Sequence, residues 1–260
     1  MVKLHTTAKK HFTLVGNWKM NPDTLEDAKK LFAALSRKAA KASKVTAIIA
    51  PPYSFISTLA AKSGSITIAA QDVSQEPRGA FTGAVSAFQV KSAGATSTII
   101  GHSERRKAGD TDELVAQKTL LALEAGLKVI LCVGEKERDQ QAHYLRTIRE
   151  QILAVFSKVD QKKASWITIA YEPVWAIGKS YDTALKPSDI HEMSIYIKKV
   201  ISEVLGQKPG LKFQVLYGGS VNFENAQAIL SDGAIDGLLV GRQSLDPEAF
   251  GNMIDYANNL

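Results

Sequence analysis

The sequence predicts an α/β protein that folds as a single closed (β/α)8 barrel, and three observations lead to this prediction. Its 260 residues suffice for one barrel of about 250 residues. Short runs rich in β-branched residues recur eight times, separated by helical patterns without a linker or a change in composition. The runs are almost uniformly apolar, as in parallel strands that are covered on both faces. We expect residues 12–260 to form the barrel and residues 1–11 to form a disordered N-terminal tail.

The eight apolar runs are the predicted strands, residues 12–15, 45–50, 66–70, 96–100, 128–133, 166–170, 213–216 and 237–240. Three of the intervening helices have recognisable starts: Pro22-Asp23 precedes a helical pattern that runs to residue 40, and the other two helices are predicted over residues 111–125 and 187–205. Gly126 and Gly206 follow two of these helices, where a left-handed cap is expected.

An open dinucleotide-binding sheet is the main alternative fold. Such a sheet would show a Gly-x-Gly-x-x-Gly turn directly after its first strand. Residues 16–21 read GNWKMN at that position, which is not a dinucleotide fingerprint. The closed barrel is therefore the better prediction.

Composition and charge argue against several classes of partner. The net charge of +6 comes from lysines spread over many segments and not interleaved with aromatic residues, so no nucleic-acid partner is expected. The sequence contains neither an apolar run of membrane-spanning length nor a signal peptide. The single cysteine, Cys132, lies in an apolar run and is most simply a core residue. We expect a cytoplasmic protein without a membrane partner.

Polar residues follow most of the predicted strands, at the edge where a barrel carries its active site. The carboxyl ends of barrel strands and the loops after them converge on one face. The residues at these ends are Asn17 and Lys19, Gln71 and Asp72, His102 with Ser103 and Glu104, Glu135, Glu172, Ser220, and Gly241 with Arg242. One such residue would mean little, but convergence from so many strands predicts a site.

Glu172 ends an apolar run and could be a surface acid that closes a strand. The loop after it carries Trp175 and Ile177, apolar residues that are costly to expose unless the loop folds down over something. We therefore predict a lid, under which the carboxylate loses water and becomes a stronger base. Gly178, near the tip of that loop, could bring its backbone N–H close to a ligand anion.

His102, Lys19 and Asn17 each have an ordinary structural interpretation beside the functional one. A lone histidine is more often a satisfied core or surface residue, but His102 begins a predicted helical turn, whose positive end disfavours imidazolium. A neutral imidazole can donate a hydrogen bond to an oxyanion. Lys19 could be solvated, yet Asn17 lies on the same face two residues earlier, and together they predict a substrate clamp. No second His or Cys stands at ligand spacing, so no metal is expected.

Two glycine-containing loops predict a phosphate site. Residues 217–222 (YGGSVN) follow strand seven, and Gly241-Arg242 follow strand eight before a short helical start. In (β/α)8 barrels these two loops and a helix N-terminus commonly hold a phosphate by backbone N–H groups. Glycine pairs alone are weak evidence, but their position in these loops strengthens the prediction.

Five motifs, in order along the chain from about residue 12 to its end, together resemble the triosephosphate isomerase family. They are GNWKMN (16–21), GHSERR (101–106), CVGE (132–135), YEPVWAIG (171–178) and YGGSVN (217–222). The resemblance implies a TIM barrel that interconverts dihydroxyacetone phosphate and glyceraldehyde 3-phosphate in glycolysis and gluconeogenesis, with neither cofactor nor metal.

The resemblance also implies a role for each matching residue. Glu172 would be the base that moves the proton, His102 the neutral electrophile, and Lys19 the charge stabiliser. Glu104 would support Lys19, while Asn17 would hold substrate oxygens. The phosphate would be held by backbone groups of Gly178, Ser220, Gly241 and Arg242.

Three departures from the family pattern change what we expect. Residues 179–184 (KSYDTA) replace a short Gly-Thr-Gly-Lys-type continuation, which affects the second lid hinge and leaves the chemistry intact. Arg242 stands where the family usually has a second glycine. A positive φ there would cost arginine roughly 1–2 kcal/mol, but we expect it to be tolerated. The third departure lies in residues 79–86 (GAFTGAVS).

This third segment resembles the family's interdigitating loop, in which Thr82 would approach the active site of a neighbouring subunit. The loop has its full length, so we expect a homodimer. Ala84 replaces a usual glutamate, and Arg105 would then lack an acidic partner, which predicts a weaker dimer.

Two other functions compete with the isomerase. A non-catalytic ligand-binding barrel would be expected to lose Glu172 or His102 while keeping the glycines, and both side chains are present. Another phosphate-binding barrel enzyme is possible because a fold does not dictate a function, but the complete base-and-lid motif argues against it.

Overall fold

A computed structural model describes residues 10–176, 185–210 and 212–260 of the chain. Eight parallel strands form a closed barrel in which each strand pairs with the next and the last pairs with the first, as the sequence predicted. The strands are β1 (Phe12–Asn17), β2 (Val45–Ala50), β3 (Ile66–Ala70), β4 (Ser97–Ile100), β5 (Lys128–Val133), β6 (Ile167–Tyr171), β7 (Val215–Tyr217) and β8 (Gly237–Val240).

Eleven α-helices in the described part of the chain surround the barrel or lie in its loops. They are α1 (Leu25–Ala39), α2 (Ile56–Ala60), α3 (Ala87–Ser92), α4 (Ser103–Lys107), α5 (Asp112–Glu124), α6 (His143–Phe156), α7 (Gln161–Ala164), α8 (Pro187–Leu205), α9 (Gln207–Gly210), α10 (Phe223–Asp232) and α11 (Pro247–Asn259). Among the described helices, none combines the length and the apolar character needed to cross a bilayer.

The uniform hydrophobicity of the strands follows from two separate cores. The inner core lies inside the barrel and contains at least one residue from every strand, among them Val15, Ile99 and Leu239. The alternate residues, such as Leu14 and Ile100, face outward against the helices. Because both faces of each strand are covered by protein, both faces must be apolar.

Several predicted boundaries differ from the structure by one or more residues, and local contacts or exposure account for three of them. Helix α1 begins at Leu25 because the Thr24 side chain accepts a hydrogen bond from the Asp27 backbone N–H and caps the helix. Strand β7 begins at Val215 because Phe213 packs edge-on against Phe156, with ring centroids 5.3 Å apart, instead of joining the ladder. Trp166 precedes β6 and is 40% exposed, so the apolar run there is less buried than its sequence suggests.

The predicted tail, residues 1–11, lies outside the described residues except for Lys10 and His11. The Lys10 ammonium lies 4.8 Å from the centre of the Phe12 ring, and His11 Nε2 lies 2.8 Å from Thr46 Oγ1. These two residues therefore contact the amino-terminal end of the barrel.

Candidate active site

A cavity of about 380 Å³ opens at the carboxyl ends of the strands. It brings together most of the residues predicted from sequence: Asn17, Lys19, His102, Glu172, Ser220, Gly241 and Arg242. Gly178 lies outside the described residues, as do Ile177 and the predicted second lid hinge at residues 179–184. Thr82 is described but lies on an exposed loop and does not line this cavity.

Glu172 follows β6 directly and is only 2% exposed, so it is not a surface acid. Its Oε2 accepts a hydrogen bond of 3.0 Å from the Ser103 backbone N–H, and its Oε1 lies 3.3 Å from His102 Nε2. Two glycines leave room for this residue. A Cβ on Gly134 would lie 1.8 Å from the Glu172 carbonyl oxygen, and one on Gly218 would lie 2.9 Å from Glu172 Cγ.

His102 is the N-cap residue of α4, and this position determines which ring nitrogen can donate a hydrogen bond. Its Nδ1 accepts the Glu104 backbone N–H at 3.2 Å, so this nitrogen carries no proton. The hydrogen of a neutral ring is then on Nε2, which faces Glu172. A carboxylate and an N–H donor therefore face each other inside the cavity.

Lys19 is held in a strained backbone conformation beside this pair. Its φ is 53°, a left-handed value that costs a non-glycine residue about 1–3 kcal/mol. The Lys19 N–H donates to Asn17 Oδ1 at 3.1 Å, and its carbonyl accepts from Gln71 Nε2 at 2.7 Å. These two bonds fix the backbone, and the sequence alone did not reveal that Gln71 supports Lys19.

The Lys19 ammonium pairs with the Glu104 carboxylate at 2.5 Å. Burial raises the pKa of the Glu104 carboxyl, but the hydrogen bond and charge of Lys19 outweigh it and hold the pKa below its usual value. The supporting acid that the resemblance implied is thus placed against Lys19.

Behind the site, Cys132 and Glu135 occupy buried positions. Burial raises the pKa of the Cys132 thiol well above its ordinary value, and the nearby Glu172 carboxylate adds to the effect. Glu135 is 1% exposed, and its Oε1 accepts hydrogen bonds from Tyr171 Oη at 2.9 Å and Trp175 Nε1 at 2.8 Å. The sequence places Glu135 at a strand end but does not reveal that it binds Tyr171 at the end of β6 and Trp175 in the loop after Glu172.

Arg242 lines the same cavity and begins a 3₁₀ turn formed by Arg242–Leu245. It is not among the non-glycine residues with positive φ, so the arginine is tolerated without strain, as expected. Beside it, Asn225 Nδ2 donates to the Ser220 carbonyl at 2.9 Å and orders the loop after β7.

The expectation that Arg105 lacks an acidic partner is wrong. Arg105 Nε lies 2.9 Å from Asp72 Oδ2, an acid at the end of β3 in the same chain. Asp72 also accepts from Lys118 Nζ at 2.8 Å, and Lys118 contacts Asp110 at 2.6 Å. The sequence could not reveal this pairing because the four residues come from different loops and helices.

The closed barrel and a carboxylate, an imidazole and a lysine at the carboxyl ends of its strands define a (β/α)8-barrel enzyme. A family model described as Triosephosphate isomerase matches residues 12–257. The chain belongs to the triosephosphate isomerase family, and the predicted resemblance and the predicted isomerase are both confirmed.

Curated relatives named "Triosephosphate isomerase" are similar to the chain over most of their length. The protein from Coprinopsis cinerea is 40% identical over 241 residues, which cover 91% of this chain and 94% of that protein. The Trichlorobacter lovleyi protein is 36% identical, with coverages of 94% and 97%. The Symbiobacterium thermophilum protein is 38% identical, with coverages of 91% and 93%.

Proposed function

We propose that the protein interconverts dihydroxyacetone phosphate and D-glyceraldehyde 3-phosphate through an enediolate, in glycolysis and gluconeogenesis. The observation that carries this proposal is the buried Glu172 carboxylate, 3.3 Å from the N–H-bearing nitrogen of His102 in a cavity at the strand ends. A base and a hydrogen-bond donor at this separation can act on adjacent carbon and oxygen atoms of one small substrate.

Glu172 removes a proton from the carbon next to the carbonyl and returns it to the neighbouring carbon. The His102 Nε2–H hydrogen-bonds to the carbonyl oxygen as negative charge develops there, and the imidazole relays the proton of the neighbouring hydroxyl to that oxygen, so that the hydroxyl oxygen becomes the new carbonyl and His102 ends neutral. The Lys19 ammonium stabilises the enediolate, while Asn17 holds the substrate oxygens. The reaction is a proton transfer within one molecule and needs no metal or cofactor.

The phosphate of the substrate lies against the loops after β7 and β8, where backbone groups of Ser220, Gly241 and Arg242 hold it. Gly178 and the lid that would carry it lie outside the described residues, and their role stays a prediction. Lid closure would exclude water from the enediolate and suppress loss of its phosphate.

The protein acts in the cytoplasm as a homodimer, without nucleic-acid or membrane partners. A second cavity, of about 590 Å³, shares Lys19 and His102 with the first and supports this assembly. Met20 is 91% exposed and Phe81 is 48% exposed, and both line that second cavity. The loop of residues 79–86 from a second copy, including Thr82, fills it.

A coupled assay with glyceraldehyde 3-phosphate tests the chemistry. We expect Glu172→Gln and His102→Gln each to lower kcat by about 10²–10⁴-fold, because a positioned acid or base usually accelerates a reaction by this factor. Glu192→Gln and His191→Gln, at exposed positions of α8, are matched controls and should retain wild-type kcat. A wild type without isomerase activity, or an active Glu172→Gln, would contradict the proposal.

A further inference from the structure

The charges that line the active-site cavity are unevenly balanced. Three ionisable side chains besides His102 line it in the described part of the chain: Lys19, Glu172 and Arg242. Lys19 is neutralised by Glu104 at 2.5 Å, and Glu172 contributes a negative charge. Among the described residues that line this cavity, Arg242 is therefore the cation without a counter-charge that an entering phosphate would meet.

The Arg242 side chain is also available for a ligand. It is exposed and has no hydrogen-bond or ion-pair partner among the residues that the structure describes. The nearest acid along the chain, Asp246, accepts hydrogen bonds from the Glu248 and Ala249 backbone N–H groups at the start of α11. That carboxylate is thus engaged in capping the helix.

The backbone conformation of Arg242 indicates that its side chain and its backbone N–H can contribute separately to ligand binding. Arg242 begins a 3₁₀ turn with a negative φ, so no conformational demand selects glycine at this position. Any residue can supply the backbone N–H. An arginine adds a planar guanidinium, which forms paired, charge-assisted hydrogen bonds with phosphate oxygens.

We propose that the Arg242 guanidinium, in addition to its backbone N–H, binds the substrate phosphate and favours its dianionic form. This inference rests on the proposed function. A phosphate monoester carries about −1.5 to −2 charges at pH 7, with a second pKa of about 6. Because Arg242 is exposed, the attraction is screened by salt and amounts to a several-fold effect.

The informative substitution is Arg242→Gln, which keeps the backbone N–H and a polar side chain but removes the charge. Arg37→Gln is the matched control, because Arg37 is an exposed arginine in the last turn of α1, away from the carboxyl ends of the strands. At low salt, we expect Arg242→Gln to raise KM for glyceraldehyde 3-phosphate about three- to tenfold, with kcat within about twofold. Arg242→Lys should recover part of the loss.

Salt and pH distinguish a charge contact from a structural effect. The KM ratio between Arg242→Gln and wild type should shrink between about 20 mM and about 200 mM NaCl. It should also shrink as the pH falls below about 6, where the phosphate monoester loses one charge. A ratio that stays constant under both changes would contradict the proposed contact.

Calorimetric titration with inorganic phosphate separates this inference from the proposed reaction. Weaker phosphate binding by Arg242→Gln but not by Arg37→Gln supports the contact, even if the wild type shows no isomerase activity. Unchanged phosphate affinity and unchanged KM in Arg242→Gln at low salt would overturn it. An equal loss in both variants would also overturn it, because the effect would then reflect net charge alone.

Discussion

At the scale of single residues, the pairing of Glu172 with His102 depends on small contacts that fix both side chains. The Glu104 backbone N–H donates a hydrogen bond to His102 Nδ1, and the Ser103 backbone N–H donates one to Glu172 Oε2. Both donors belong to the first turn of α4. One helix start therefore orients the imidazole and the carboxylate together.

Gly218→Ala tests how closely Glu172 must be placed. The added Cβ would lie 2.9 Å from Glu172 Cγ, so the carboxylate must move, while the backbone of Gly218 needs no positive φ. We expect kcat to fall about 10²-fold, because displacement of a reacting group by about 1 Å has this effect. Gly64→Ala, with nothing within 4 Å of its added Cβ, should match wild type in the same assay. Undiminished kcat in Gly218→Ala would show that Glu172 tolerates displacement.

The sequence predicts that the site residues lie at strand ends, but it does not predict how their side chains are oriented. Glu172, His102 and Lys19 stand after apolar runs, and barrel topology brings such positions together. The tautomer of His102 and the bond from Gln71 to Lys19 depend on contacts between distant segments. No local pattern encodes those contacts, so they emerge only from the folded chain.

At the scale of elements, the strands were predictable because two cores make both of their faces apolar. Element boundaries were less predictable where a tertiary contact overrides the pattern. Phe213 is apolar and β-forming, yet it packs on Phe156 of α6 outside the ladder. Helix α1 begins at Leu25 because Thr24 caps it, and the pattern after Pro22-Asp23 did not single out this cap.

Helix α4 carries the orienting contacts but is only five residues long, too short to be stable without tertiary support. Arg106 provides that support: its Nε donates to the Gly101 carbonyl at 2.8 Å, and its Nη1 contacts Asp112 at 2.6 Å. Another bond, of 3.4 Å, joins its Nη2 to the Cys132 carbonyl. The guanidinium thus ties α4 to β5 and α5.

Arg106→Lys should uncouple this helix from the barrel. A lysine ammonium cannot reproduce the three-way geometry of the guanidinium, so we expect the free energy of unfolding to fall by about 1–3 kcal/mol. Because α4 orients His102, kcat should fall as well. Lys107→Ala, an exposed change on the same helix, should alter stability by less than about 0.5 kcal/mol. Urea unfolding with the coupled assay measures both, and an unchanged kcat would argue against this positioning role.

At the scale of the whole molecule, charge pairing is completed within one chain near the proposed subunit interface. Asp72 and Asp110 balance Arg105 and Lys118, and Lys118 is almost fully buried between the two acids. Burial raises the pKa of the Asp72 carboxyl, and the hydrogen bond from Lys118 opposes this effect. The proposed assembly therefore does not require an acid from a second subunit for Arg105, and we expect the exposed apolar side chains Met20 and Phe81 to drive it.

Phe81→Glu tests this mode of assembly. Phe81 is 48% exposed at the edge of the second cavity, and a carboxylate buried there without a partner would cost several kcal/mol. In sedimentation velocity at about 1 μM, we expect wild type to be a dimer and Phe81→Glu to be mainly a monomer. Trp166→Glu is the control, because Trp166 is 40% exposed but lies at the amino end of β6, far from the active-site face. A wild type that sediments as a monomer, or a Phe81→Glu dimer of undiminished affinity, would show that residues 79–86 do not form the interface.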